Sequence, residues 1–243
     1  MLASFGWGTL AASSLVIGAL IALRFRIGLR AIGLIMGFGS GVLISALSFD
    51  LVQEAVDKSS GHGWVVGGFF AGCLVFFGGD QLIDHLGGGD RKDADGDQQG
   101  GSSLGIVLGS VLDGIPESMV IGLTIFEGGA VGAAYLAAVF ISNLPESISS
   151  TSGLATGGWQ KSRILWMWIA IALVSGLASL AGYGLFQHSP PDTVAFVLAF
   201  AAGAILTMLA ETMMPEAFEH GGKLVGVATT LGFAVAFTIH TLD

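Results

Sequence analysis

Three carboxylates in this chain lie in apolar surroundings, where an acid is costly to keep. Asp113 and Glu117 fall within Ser110-Val-Leu-Asp-Gly-Ile-Pro-Glu-Ser118, and Glu146 falls within Ile141-Ser-Asn-Leu-Pro-Glu-Ser147. Residues three and four apart on a helix share a face, so Asp113 is presented with Glu117, and Ser142 and Asn143 with Glu146. A proline stands immediately before each glutamate. Pro116 and Pro145 leave the carbonyls of Leu112 and Ile141 without their intrahelical donors. Carboxylates, an amide, a hydroxyl and freed carbonyls make an all-oxygen donor set, which suits a divalent cation. Buried acids can also be protonated and hydrogen-bonded as packing glue. The doubled Pro-Glu-Ser, with an aspartate added, favours the ion.

The elements that must position these acids follow from composition. The chain has 243 residues, 53% hydrophobic and only 11% charged, with 39 glycines. A soluble domain carries about a quarter charged residues, so this chain belongs to the membrane class. A spanning helix needs about 20 mostly apolar residues. Eight such runs stand out, at 5–23, 31–53, 63–86, 103–125, 129–155, 164–187, 193–217 and 222–241. The first has no Lys or Arg before it and no A-x-A site after it, so it reads as a retained span. Loops rich in Lys and Arg stay cytoplasmic. Arg24, Arg26, Arg30, Arg91, Lys92, Lys161, Arg163 and Lys223 all fall in loops of one parity, and only Lys58 falls in the other. Eight alternating spans with both termini outside the cytoplasm satisfy that distribution. The expected architecture is therefore an all-α integral membrane bundle, one polytopic domain over residues 1–243. Asp113 then lies about ten residues, or ~15 Å, from the cytoplasmic end of span four, and Glu146 lies at a similar depth in span five.

Residues Gly37–Ala55 align without gaps on Ala199–Ala217, sharing the Phe, the central Gly, a Leu and the closing Glu-Ala. Spans two and seven run in opposite directions, so the likeness reads as an inverted repeat of spans 1–3 and 6–8 around the central pair of spans 4 and 5. It puts Asp50 and Glu54 at an outer mouth, and Glu211 and Glu216, with His220 beyond, at an inner exit. Asp80, Asp84 and His85, at the inner end of span three, either extend that exit or are solvated helix-end residues. His62, His188 and His240 read as polar surface. The stretch 87–103, rich in Asp and Gly, reads as an acidic, flexible, cytoplasmic linker. The formal net charge of −9 excludes nucleic acid as a partner, since phosphate neutralisation needs clustered basic residues. Cys73, the sole cysteine, rules out both a disulfide framework and a thiolate metal cluster.

Asp-Gly-Ile-Pro-Glu-Ser in span four, Ser-Asn-Leu-Pro-Glu-Ser in span five and Glu211-x4-Glu216 in span seven resemble the signatures of the ZIP (Zrt/Irt-like) divalent metal transporters. The resemblance covers essentially the whole chain. It implies eight spans, import of zinc or a related divalent ion toward the cytoplasm by an elevator-like alternating-access movement, and often a homodimer in the cell membrane. Glu117 and Glu146 match the family's bridging carboxylates, and Asn143 falls on a ligand position. Asp113 stands where the family typically has histidine, and Gly114 where it has asparagine. With no acid in span six, one metal site is expected. A carboxylate in place of an imidazole hardens the site, which keeps iron, manganese and cadmium open beside zinc. The expected ligand and path residues are Asp113, Glu117, Asn143, Glu146, Ser142, Glu211, Asp50, Glu54 and Glu216, with the cargo metal in place of any prosthetic group. An intramembrane metal-dependent hydrolase, with the same carboxylates as acid and base, is the alternative. It would want a histidine or nucleophile beside them. Ser118 and Ser147 follow the glutamates directly and so point about 100° away.

Overall fold

The computed structural model describes residues 2–88, 91–92, 94, 103–126 and 133–242. Helices make up the described chain, with no strand among these residues. They are α1 (Leu2–Arg24), α2 (Leu29–Ala46), α3 (Glu54–Lys58), α4 (His62–His85), α5 (Ser103–Phe126), α6 (Ala133–Thr156), α7 (Lys161–Phe186), α8 (Pro191–Met208), α9 (Met214–Gly221) and α10 (Val225–Leu242). Two π-helical segments interrupt the series, Leu47–Gln53 after α2 and Leu209–Met213 after α8. In the gapless alignment Leu47 falls on Leu209, so both windings start at the same place in the two related segments.

Among the described residues six stretches are long and apolar enough to cross a membrane, where eight runs were expected. The difference has two physical sources. Helix α6 has 24 residues, but polar side chains crowd its second half, among them Ser142, Asn143, Glu146, Ser147 and Ser149. The sixth stretch, Pro191–Leu242, has 52 residues. At 1.5 Å per residue it would measure about 78 Å if straight, more than twice the ~30 Å of bilayer hydrocarbon. It is not straight, because Gly222 has φ 62° and turns the chain between α9 and α10. The Leu209–Met213 segment and α9 run antiparallel to α2, with Met213 beside Gly39 and Ala217 beside Gly33. After the turn α10 runs parallel to α2, with Val225 beside Gly37 and Thr229 beside Gly41.

Lipid gives little hydrophobic drive for helices to associate, so close approach of small residues must hold them together. Gly232 sits on the backbone carbonyl of Phe38 and Gly72 on that of Phe200; a Cβ at either would overlap that oxygen. Phe38 and Phe200 are themselves matched in the gapless alignment of the two segments. Two groups of helices result. In one, α1 packs on α6 and α7, and α5 on α7; in the other, α2 packs on α9 and α10, and α4 on α8. The groups meet where α2 touches α6 and where α5 touches α8 and α4. Exchanging α1, α2, α4 and α5 for α7, α8, α10 and α6 reproduces the main pairings. Large apolar side chains such as Phe70, Leu74, Trp166, Leu177 and Leu231 point outward, while acids and serines are buried within.

Candidate cation site

Helices α5 and α6 carry their acids into the interior. Asp113 is 2% exposed, Glu117 3% and Glu146 7%, with Ser142 and Asn143 buried beside them. Both prolines lie within the helices, as their spacing predicted. Asp113, Glu117, Glu146 and Lys92 lie within electrostatic reach of one another. The Ser142 hydroxyl donates to the Val139 carbonyl at 3.0 Å, and the Tyr135 hydroxyl donates to the Glu117 carbonyl at 3.4 Å. Among the described residues no three His, Cys, Asp or Glu side chains converge tightly enough to hold a metal ion. The acids share one buried neighbourhood, but the Asp113 carboxylate is turned to other partners.

Those partners come from the stretch read as a solvated linker. Most of 87–103 lies outside the described residues, but Arg91, Lys92 and Ala94 are described and all three are buried. Arg91 makes a fork onto Asp113, Nε to Oδ2 at 3.2 Å and Nη2 to Oδ1 at 3.1 Å, and its Nη2 also meets Asp80 Oδ1 at 2.5 Å. Lys92 Nζ lies 3.2 Å from Asp113 Oδ2 and donates to Thr212 Oγ1 at 3.2 Å. Ser149 Oγ donates to the Lys92 carbonyl at 2.6 Å, and the Ala94 amide donates to Glu216 Oε1 at 3.0 Å. Burial opposes the charge on Arg91, but Asp113 and Asp80 outweigh it and hold the guanidinium above its ordinary range. Gly109 makes room, since a Cβ there would strike the Arg91 side chain. Charge compensation accounts for the burial of Arg91 and Lys92: an anion buried without a cation is strongly destabilising, and this short connection supplies two. The same contacts place Asp80 in the buried cluster, while Asp84 and His85 stay exposed.

On the opposite side, Asp50 and Glu54 line a cavity of about 340 Å³ together with Gln53, Asp57, Thr124, Tyr135 and His240. His240 Nδ1 lies 2.6 Å from Asp50 Oδ1, and the imidazole stacks on Phe49. Glu54 also meets Lys58 at 3.5 Å. Because Tyr135 lines this cavity and bonds the Glu117 carbonyl, one side chain spans from the cavity to the central helix. Toward the loop side, Glu216 lies 2.9 Å from His220 Nε2, and Glu211 is exposed on the π-helical segment next to Thr212. Sequence reasoning missed Arg91, Lys92 and His240. For His240 a signal existed: in alternating spans the end of α10 and the end of α2 emerge on the same side. For the basic pair, their use as topology markers obscured their closeness in sequence to span four.

Over 246 residues, 92% of this chain and 87% of the relative, the sequence is 26% identical to zinc transporter ZTP29 of Arabidopsis thaliana. It is 25% identical over 248 residues to zinc transporter ZIPB of Bordetella bronchiseptica, covering 93% of this chain and 76% of the relative. The chain is similar over most of its length to proteins named as zinc transporters. A third relative, a longer Arabidopsis thaliana protein named as a candidate zinc transporter, is 27% identical over 214 residues; the match spans 86% of this chain and 34% of that protein. No family model matches the chain. The ZIP-type likeness read from the Pro-Glu-Ser motifs thus extends to relatives matched along most of the chain.

Proposed function

We propose that this chain carries divalent metal ions across a membrane, zinc first among them, with iron, manganese and cadmium as further candidates. The observation that carries the reading is the burial of Asp113, Glu117 and Glu146 where the two helix groups meet, beside a cavity that brings Asp50, Glu54 and His240 to the outer end of the path. Asn143 and Ser142 complete the central donor set, and Glu211 and Glu216 stand toward the exit. The names of the relatives support zinc as cargo. Eight crossings agree with the helix directions, α2 running with α10 and α4 with α8 while α1 runs against α7, and the basic loop residues support both termini lying outside the cytoplasm. The matched π-helical starts and the exchangeable pairings support an inverted repeat. In such a bundle, movement of the α1, α5, α6 and α7 group against the other would expose the acids to each side in turn, delivering the ion toward the cytoplasm. A hydrolase is not favoured, since the relatives are named transporters and no histidine stands beside the described acids of α5 and α6.

The test is uptake of radiolabelled zinc, iron and manganese into proteoliposomes. Glu117→Ala and Glu146→Ala are expected to lower zinc uptake at least tenfold while the protein keeps its folded elution profile. Unchanged uptake in both variants would overturn the central site.

A further inference from the structure

Arg91 and Lys92 occupy the carboxylate that the transport reading gives to the cargo, and they reach it from one short segment. That segment touches both helix groups. Through Asp113 and Ser149 it is bound to α5 and α6, and through Asp80, Thr212 and Glu216 to α4, the Leu209–Met213 π-helical segment and α9. We propose that Arg91 and Lys92 are tethered counter-cations which the cargo must displace from Asp113, and that they set both the affinity and the valence selectivity of the site. The inference rests on the transport reading, because it needs Asp113 to be a metal ligand.

Charge balance supports the exchange. Two monovalent side-chain cations leave as one divalent ion arrives, so the cluster of acids keeps its total charge. A single potassium or sodium ion would replace only one of the two, leaving a buried carboxylate uncompensated, which is strongly unfavourable. Geometry supports it as well. The forked guanidinium and the ammonium together cover both oxygens of Asp113, so a metal cannot bind that carboxylate without moving at least one of them. Ions that bind Asp113 also undo the tie between the helix groups, so loading and freedom to move become one event.

The experiment uses the full chain in detergent or nanodiscs, with zinc chloride and cadmium chloride as probes and potassium chloride as the monovalent control. Trypsin cuts after Arg91 and Lys92 only when they leave the interior. Zinc or cadmium is expected to raise cleavage at those two bonds at least fivefold, and potassium to leave it unchanged. Asp113→Asn should raise the same cleavage without metal. By calorimetry, Lys92→Gln should bind zinc about tenfold more tightly than wild type, because one competing charge-assisted bond is gone. Lys92→Arg should restore the wild-type value. Zinc binding that is lost in Glu117→Ala, yet neither exposes Arg91 and Lys92 nor responds to Lys92→Gln, would overturn the tether and leave the transport reading standing. Absence of zinc binding in wild type and Lys92→Gln alike would overturn the transport reading, and the tether with it.

Discussion

At the scale of single residues, the chemistry is divided among acids that differ in their partners. Asp113 is fully engaged by cations of the chain itself, Asp50 meets His240, and Glu216 meets His220. On the transport reading, a residue that lines only the Asp50 cavity would contribute to capture of the ion more than to its passage. His240→Ala is therefore expected to raise KM for zinc severalfold and leave kcat nearly unchanged, the pattern of lost uniform binding. Initial rates of uptake over a range of zinc concentrations check this. Equal falls in kcat and kcat/KM would instead place His240 in the moving or reacting part of the path.

Elements contribute through how closely they can approach. Gly232 on the Phe38 carbonyl joins α10 to α2, and Gly72 on the Phe200 carbonyl joins α4 to α8. Neither contact has room for a side chain. Gly232→Val should destabilise the protein by about 1–3 kcal/mol, the ordinary cost of overpacking, and Gly72→Val by a similar amount, because in both a Cβ would strike a backbone carbonyl. Thermal unfolding in one detergent compares them directly. Gly226→Ala, where a Cβ would meet nothing within 4 Å, is the neutral control. The π-helical segments work on the same scale: the extra residue in each turn re-aims the side chains that follow, and Asp50 and Glu211 sit on those turns.

For the whole molecule, the division into two helix groups makes its own prediction. Gly79→Cys with Leu112→Cys would join α4 to α5 across the boundary, and Ser4→Cys with Ser179→Cys, whose hydroxyl oxygens lie 3.4 Å apart, would join α1 to α7 within one group. In a Cys73→Ser background, oxidation of the first pair is expected to abolish zinc uptake reversibly, while oxidation of the second leaves most of it. Uptake before and after reduction, with cross-linking followed by gel mobility, measures both. Full uptake with α4 fixed to α5 would exclude movement of the groups against each other.

Much of this protein follows from its sequence, because a bilayer narrows the choices. Apolar runs, basic loop residues and the spacing of Asp113, Glu117, Asn143 and Glu146 are local properties, and local properties fix helices, their order and the face each acid occupies. The likeness of the two segments was legible for a related reason: Phe38 and Phe200, and the starts of the two π-helical segments, lie at one constant offset in the chain. Span counting was less secure where polarity and turns blur the apolar signal, in the serine-rich half of α6 and at Gly222 between α9 and α10. Only the tertiary structure decided which cation meets which acid. Arg91 and Lys92 are ordinary loop residues by composition; their burial on Asp113 arises because Asp80, Thr212, Ser149 and Glu216, from four other parts of the chain, surround the same few ångströms. Pairing of buried charges is a property of that shared space, set by long-range packing and compensation, and a one-dimensional pattern does not contain it.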